Sequence, residues 1–212
     1  MQTSHIDHLV VTAPSLEMGV NYVEAALGVR PQPGGEHLAM SAHNALLRLG
    51  ERIYLEVIAV NPGMLKPDRP RWFELDNLAA KAAPRLAGWV ARTPDIRAAQ
   101  AVQPESFGNV ESTIRGGFNW LITLPADGSL PLAGVAPTLI EWQSKDHPAS
   151  RLRNQGCSLM GLEGFHEHAE NITALLAAIK FQDELLVHAI AAPLKTHLIA
   201  QIQTPSGIRI LK

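Results

Sequence analysis

The stretch His5-Ile-Asp-His-Leu-Val-Val-Thr12 decides the fold, because it begins an order of elements that the rest of the chain repeats. Its β-rich composition predicts a strand that ends before Pro14. Ser15 then has the position of a helix N-cap, and apolar residues recur at helical spacing until Gly28 ends the pattern. The chain therefore opens with a strand followed by a helix.

Three more strands are predicted before the first unit ends. Pro31 to Gly35 is typical of a turn-rich loop, and strands are expected at Leu38 to Met40, at Ala45 to Leu49 and at Arg52 to Val60. Residues 1–60 are therefore predicted to form a unit with the order strand, helix and three strands, written βαβββ.

The same order of elements is predicted twice more along the chain. A linker rich in Pro and Gly is expected over residues 61–84, a second βαβββ-like unit over 85–145 and a third over 157–212. Each such unit leaves one apolar sheet face, which a neighbouring unit has to cover. We predict an α+β fold, packed as one globule, in which tandem βαβββ units form curved mixed sheets around a central pocket. Pockets of this kind bind small molecules.

Composition narrows the class of protein. The 212 residues are 46% hydrophobic and 18% charged, and the formal net charge is -2 without a basic cluster, so no nucleic-acid partner is expected. No membrane partner is expected either, because no apolar run approaches the ~20 residues of a spanning helix. Cys157 is the single cysteine, which excludes an intrachain disulfide and favours a cytoplasmic location.

Three ionisable residues interrupt strongly apolar predicted strands: His8, Glu56 and Glu141. An unpaired buried carboxylate is too costly to tolerate, so each glutamate must be solvated, paired, neutralised or bound to a cation. One imidazole and two carboxylates are an adequate ligand set for Zn²⁺, Fe²⁺, Mn²⁺ or Ni²⁺. In the alternative interpretation the glutamates face outward or pair with an arginine, the candidates being Arg48, Arg52 and Arg115.

Six motifs follow one another in a fixed order: His5-Ile-Asp-His-Leu-Val-Val, Gly34-Gly-Glu-His37, Ser41-Ala-His-Asn44, Tyr54-Leu-Glu-Val-Ile, Arg71-Trp-Phe-Glu-Leu-Asp, and Leu139-Ile-Glu-Trp with His147-Pro. Together they resemble glyoxalase-like proteins of the vicinal oxygen chelate superfamily. The resemblance covers most of the chain. It is specific to the family and not to one reaction.

The resemblance implies metal ligands on the first and fourth strands of each unit, facing the cavity. His8 and Glu56 take those positions in the first unit, and Glu141 takes the fourth strand of the second. The remaining position falls at Gly88 or Trp89, and neither offers a ligand. The resemblance therefore implies at most three of the four usual protein ligands, either as an open catalytic site or as a site that binds no metal.

Further residues are candidates for the substrate pocket. His37 and Asn44 match the family's loop motif at the pocket rim, although a hydrogen-bonded pair that stabilises the loop is an equal alternative. Trp72 is expected to wall the pocket or to anchor the linker by packing. Arg115 is expected to bind a substrate carboxylate, or else to be solvated or paired with a strand carboxylate.

The function implied by the resemblance is that of a metal-dependent glyoxalase- or dioxygenase-like enzyme, of lyase or isomerase type, acting on a small oxygenated organic molecule. The metal would stabilise a developing oxyanion, with Glu56 or Glu141 as general base and His37 as proton relay. The alternative is a protein of the same fold that sequesters a small molecule without turnover. The apolar helix at Ile172 to Ile179 suggests a homodimer, or else a packed core helix.

Overall fold

Residues 3–212 are described by a computed structural model, so Met1 and Gln2 of the predicted first unit lie outside the described residues. The strands are β1 (His5–Thr12), β2 (Gln32–His37), β3 (Ala42–Arg48), β4 (Tyr54–Val60), β5 (Arg85–Arg92), β6 (Asn109–Arg115), β7 (Phe118–Leu124), β8 (Thr138–Trp142), β9 (Ser158–His166), β10 (Leu185–Ala189), β11 (His197–Thr204) and β12 (Gly207–Leu211). The helices are α1 (Leu16–Leu27), α2 (Ile96–Gln100), α3 (Pro104–Phe107), α4 (Pro148–Arg151) and α5 (Ala169–Ala178).

Eight strands form one mixed sheet in the order β2-β3-β4-β1-β5-β8-β7-β6. In each half the first strand pairs in parallel with the fourth, as β1 does with β4 and β5 with β8, and the other strands continue outward antiparallel. The halves join through antiparallel β1 and β5, where His8 lies opposite Val90. The predicted α+β class with curved mixed sheets is confirmed.

The last part of the chain pairs its strands differently. Its order along the chain is again strand, helix and three strands, but the four-stranded sheet has the order β10-β9-β11-β12. The strand that follows its helix returns in parallel beside β9, whereas β2 lies at the far edge of its own half. Helix α5 buries Ile172, Leu175 and Leu176 in the core, so its apolar face packs within the chain.

Helix α1 is encoded locally and supports the strand that carries Glu56. Ser15 Oγ accepts a hydrogen bond from the Met18 backbone N–H, and the helix ends at Gly28, whose φ of 71° suits glycine. Gly19 lets the helix approach β4, because a Cβ atom there would lie 2.5 Å from Val57 Cγ1. No helix within residues 3–212 has the length and apolar character needed to cross a bilayer.

Both faces of the central strands β1, β4 and β5 are buried, and residues of the same strand contribute to different cores. One core lies under the helices and the four-stranded sheet and includes Leu9, Val57, Trp89 and Leu139. The other lies under the segment between β4 and β5 and includes Val10, Ile58, Trp72, Phe73, Val90 and Ile140. The candidate site lies on this second face.

The structure corrects two predicted segments of the first unit. Pro31 to Gly35 was expected to be a loop, but Gln32–His37 forms strand β2, and the predicted strand Leu38–Met40 is a 3₁₀ turn. Strand β2 pairs on one side only, with β3, and its register shifts between Pro33 and Glu36. An edge strand tolerates Pro and Gly in this way, because half of its backbone groups need no partner strand.

Candidate functional site

A small cavity lies between the eight-stranded sheet and the segment that joins β4 to β5. Its volume is about 20 Å³, which is room for about one water molecule. Polar and ionisable side chains line one part of the cavity, namely His8, His37, Tyr54, Glu56 and Arg115. Apolar side chains line the rest, namely Trp72, Phe73, Trp120, Ile122, Ile140 and Trp142.

Asp7 holds together the polar groups beneath the cavity. Its carboxylate is fully buried and accepts a hydrogen bond of 2.7 Å from His8 Nδ1 at Oδ1. At Oδ2 it accepts bonds from His147 Nε2 at 3.0 Å and from Trp142 Nε1 at 2.8 Å. Burial alone would raise the pKa of the Asp7 carboxyl, but the bonds from His147 and His8 lower it well below its usual range. Asp7 is therefore an ionised carboxylate that accepts hydrogen bonds from three side chains.

These bonds determine which nitrogen of each imidazole carries a proton. A carboxylate only accepts, so His8 carries a proton on Nδ1, and its Nε2 faces the cavity beside Glu56. His147 carries its proton on Nε2, because its Nδ1 accepts a bond of 3.2 Å from the Ala149 backbone N–H. His8 stacks on Tyr54, with ring centroids 4.5 Å apart, and this contact fixes the plane of the imidazole. The result is an oriented imidazole with a basic nitrogen at the cavity.

Glu56 is the acidic group closest to that nitrogen. Its Oε2 lies 3.6 Å from His8 Nε2, and its Oε1 accepts a hydrogen bond from Asn44 Nδ2. Burial would raise the pKa of the Glu56 carboxyl, and the neighbouring His37, His8 and Asn44 outweigh burial and lower it to about 2. Glu56 is consequently ionised near neutral pH and is a weak base there.

His37 is neutral and capped by a cation. Arg115 Nη1 donates to His37 Nε2 over 2.8 Å, and Asn44 Nδ2 lies 3.1 Å from the same nitrogen, so the imidazole proton is on Nδ1. Burial lowers the pKa of His37 below its ordinary value, Glu56 opposes the shift, and the charge of Arg115 adds to it. Because its Nε2 lone pair is engaged, His37 is not a base in this arrangement.

Two buried N–H groups at the cavity have no hydrogen-bond partner within the described residues. They are His37 Nδ1 and Trp72 Nε1, which belong to rings in edge-on contact with centroids 4.9 Å apart. An unpartnered buried donor costs about 1 to 3 kcal/mol, and a ligand oxygen that accepts its hydrogen recovers this energy. Both groups are therefore suited to binding an oxygen atom.

Glu141, predicted to join His8 and Glu56, lies outside the cavity. It alternates along β8 with Ile140 and Trp142, which line the cavity, so its side chain belongs to the opposite face. There its Oε2 accepts a bond of 2.8 Å from the Ile96 backbone N–H at the start of α2. The alternation of side chains along β8 was predicted correctly. The face that lines the cavity was not, because residues on both faces of β8 are buried and the pattern does not distinguish them.

The other predicted site residues do meet at the cavity. His8, His37, Glu56, Trp72 and Arg115 line it, and Asn44 bonds to its polar groups. Asn44 also accepts a bond of 2.8 Å from the Gly35 backbone N–H, so the pair of His37 and Asn44 stabilises the loop as well.

Sequence reasoning missed Asp7 and the role of His147. Asp7 lies between Ile6 and His8 in the first strand, and a single polar residue there does not reveal its distant partners. Its partners His8, Trp142 and His147 are 1, 135 and 140 residues away, and only folding brings the last two to it. The sequence did contain one indication of its role. An aspartate inside a strongly apolar strand is costly to bury unless hydrogen-bond donors surround its carboxylate.

The polar groups of the cavity do not compose a ligand set for a divalent metal ion. His8 Nε2 and Glu56 Oε2 are adjacent, but Gly88 lies against Leu130, and Trp89 turns to the other core. The lone pair of His37 Nε2 is held by a guanidinium whose positive charge opposes a metal cation. Among the side chains that the structure describes, no three His, Cys, Asp or Glu residues are grouped so as to hold a metal.

Comparisons with known proteins agree with this architecture. The model of a family described as a glyoxalase-like domain matches residues 6–179. A crystal structure of a hypothetical protein from Staphylococcus aureus superposes with a TM-score of 0.61 at 10% identity, covering 99% of this chain and 98% of that chain.

Weaker structural matches include methylmalonyl-CoA epimerases. One, in complex with methylmalonyl-CoA and NH4+, has a TM-score of 0.44 at 18% identity and covers 69% of this chain and 99% of that chain. Another, from Mycobacterium tuberculosis, has a TM-score of 0.41 at 13% identity and covers 65% of this chain and 85% of that chain. No curated protein sequence matches the chain.

Proposed function

The chain belongs to the glyoxalase-like domain family of the vicinal oxygen chelate superfamily, and on that premise we propose that it moves a proton at the carbon beside a carbonyl group of a small oxygenated molecule. The observation that carries the proposal is the bond from His8 Nδ1 to Asp7, which directs Nε2, the nitrogen that acts as the base in the neutral ring, toward the cavity. Membership in the family gives the fold, and these side chains suggest the chemistry.

His8 is the proposed general base. Its Nε2 takes the proton from carbon as the C–H bond breaks, and the electron pair moves to the carbonyl oxygen to form an enolate. The imidazolium so formed is stabilised on one side by Asp7 and on the other by Glu56, whose Oε2 is 3.6 Å away. Return of the proton to either face of the carbon completes an isomerisation or an exchange with solvent.

The enolate oxygen needs hydrogen-bond donors, and the cavity contains two without partners. The Nδ1–H of His37 and the Nε1–H of Trp72 are buried in the same wall. Fixed donors aimed at a developing oxyanion contribute on the order of 3 kcal/mol to catalysis. His37 thus serves as an oxyanion donor in this proposal, instead of the proton relay expected from the sequence.

The divalent metal implied by the resemblance is not part of this mechanism. The residues that would hold it are reduced to His8 and Glu56, and the nearby guanidinium of Arg115 already supplies a positive charge. We infer that this charge and the two N–H donors take the electrostatic role that a metal has in a Lewis-acid mechanism.

Exchange of carbon-bound protons with solvent tests the proposal. The protein in D2O is mixed with 2-oxobutanoate, methyl 2-oxobutanoate or hydroxyacetone, and deuterium incorporation beside the carbonyl is followed by proton NMR. We expect acceleration of at least one exchange, and a loss of about 10²- to 10⁴-fold in His8→Gln. No acceleration with any of the three compounds, or an unchanged rate in His8→Gln, would refute the proposal.

Sequestration of a small molecule without turnover is the second candidate function. The observation that favours it is the aromatic wall formed by Trp72, Trp120 and Trp142, which suits an apolar ligand whether or not that ligand reacts. Binding of these compounds without any deuterium exchange would favour sequestration over catalysis.

A further inference from the structure

Arg115 is a charged side chain of the cavity without an acidic partner. Arg69 and Arg71, by contrast, are paired with Glu111 and Asp76. The bonds that Arg115 makes within the described chain go to the neutral His37 ring and to Asn44 Oδ1, and no described carboxylate oxygen lies within 4.0 Å of it. A half-buried guanidinium that contacts only neutral groups has unused capacity for an anion.

The unpartnered N–H groups of Arg115 are arranged as a carboxylate requires. Both recorded bonds of Arg115 come from Nη1, so the N–H groups of Nε and Nη2 have no partner among the described residues. A guanidinium uses parallel N–H groups of this kind to hold the two oxygens of a carboxylate, and such paired bonds are about twice as strong as neutral ones.

Arg115 lies at the end of an edge strand and belongs to neither hydrophobic core. Arg115 ends edge strand β6, and Gly116 and Gly117 follow with φ of 55° and 83°. Nothing lies within 4 Å of a Cβ atom built on either glycine. Since the cavity of about 20 Å³ holds little more than a water molecule, a ligand has to displace some lining side chain. Arg115 is the lining residue whose displacement costs the least apolar packing.

From these observations we infer the substrate class of the site: a compact organic acid whose carboxylate pairs with the Nε and Nη2 groups of Arg115. The inference rests on the proposed function and adds the identity of the ligand's polar group. Trp72, Trp120 and Trp142 then enclose a short apolar body, as large aromatic walls do in small-molecule sites. The carbonyl beside the reacting carbon faces the donors of His37 and Trp72.

Tryptophan fluorescence measures binding directly, because three of the four tryptophans line the cavity. The probes are 2-oxobutanoate and phenylacetate, each beside its methyl ester, which keeps the shape and removes the charge. We expect both acids to bind, and the esters and the Arg115→Gln variant to show dissociation constants roughly 10- to 100-fold higher. Arg115→Lys should recover only part of the loss, because an ammonium lacks the planar pair of donors.

The control variant is Arg209→Gln, which removes an exposed arginine from β12 and should bind both acids as the wild type does. Deuterium exchange measured on the same protein samples separates a loss of binding from a loss of catalysis. Acids that bind no better than their esters, equal affinity in Arg115→Gln, or no binding of either acid would overturn the inference. Acid binding without any proton exchange would leave it intact and refute the proposed catalysis alone.

Discussion

The Asp7 carboxylate lies 2.7 Å from His8 Nδ1, and this contact between neighbouring residues of one strand sets the chemistry of the cavity. It fixes the proton on the buried side of the imidazole, and the basic nitrogen remains beside Glu56. The two nitrogens of His8 therefore have different roles, one structural and one available to a ligand.

Asp7→Asn should abolish proton exchange while leaving binding nearly unchanged. The Oδ2 position accepts from His147 and Trp142, so the asparagine oxygen takes that place and its NH2 group faces His8. His8 is then forced to accept at Nδ1 and to carry its proton on Nε2, where a base is needed. The comparable change in a serine protease triad lowers kcat on the order of 10⁴-fold. Deuterium exchange and phenylacetate binding, measured across pH, separate the two effects.

Asp183→Asn is the matched control for this prediction. Asp183 also accepts a bond from a histidine, His5 Nδ1 at 3.0 Å, and another from a backbone N–H, but it lies outside the cavity. Its replacement should leave exchange intact. Equal losses in the two variants would mean that Asp7 acts only through stability.

In Glu56→Gln, the free energy of unfolding should fall less steeply with decreasing pH than it does in the wild type. The pKa of Glu56 is lowered from 4.5 to about 2, so the ionised form stabilises the fold above pH 4.5, and this contribution disappears as pH falls toward 2. The shift corresponds to about 3 kcal/mol. Urea unfolding between pH 2 and 5 should show a correspondingly smaller decline in Glu56→Gln than in the wild type. Glu17→Gln, exposed in the first turn of α1, should follow the wild type. A decline as steep in Glu56→Gln as in the wild type contradicts the buried, ionised state.

Removal of metal ions should not affect proton exchange. The cavity offers His8 and Glu56 but no third ligand, so incubation with EDTA and desalting should leave the rate unchanged. Elemental analysis of the purified protein checks the same point. Activity that disappears with EDTA and returns with Zn²⁺ or Mn²⁺ would show that other groups complete a metal site.

Gly19→Ala should destabilise the fold although alanine favours helices. Its Cβ would lie 2.5 Å from Val57 Cγ1 and 2.9 Å from Ala13 Cβ, and overpacking of this kind outweighs the helical gain. We expect a net loss of about 1 to 2 kcal/mol in the free energy of unfolding. Gly161→Ala, with nothing within 4 Å of the added Cβ, is the control and should cost less. An unchanged stability in Gly19→Ala would mean that α1 does not pack tightly against β4.

Local patterns predicted much of the fold. The cap at Ser15, the helical spacing up to Leu27 and the stop at Gly28 all reflect interactions within a few residues, and the structure contains them. Strand β2 was missed because its composition, Gln-Pro-Gly-Gly-Glu-His, has no strand preference of its own. Its pairing with β3 alone stabilises it, and pairing between distant segments is not visible in a local pattern.

The candidate site was only partly predictable for a related reason. Alternation along a strand groups Glu141 with Leu139, but it does not say which face of a doubly buried sheet carries the cavity. The resemblance placed His8 and Glu56 correctly beside each other, 3.6 Å apart, and said nothing of Asp7. The pairing of Asp7 with His147 depends on the docking of the segment after β8, which arises from tertiary packing.

The proton positions of His8 test the central claim most directly. A long-range proton–nitrogen correlation spectrum of the ¹⁵N-labelled protein near neutral pH reports which ring nitrogen carries hydrogen, with Asp7→Asn and His8→Gln to assign the signals. We predict that the neutral form of His8 carries its proton on Nδ1 in the wild type, and that this proton moves to Nε2 in Asp7→Asn. A neutral wild-type His8 with its proton on Nε2 would contradict the account.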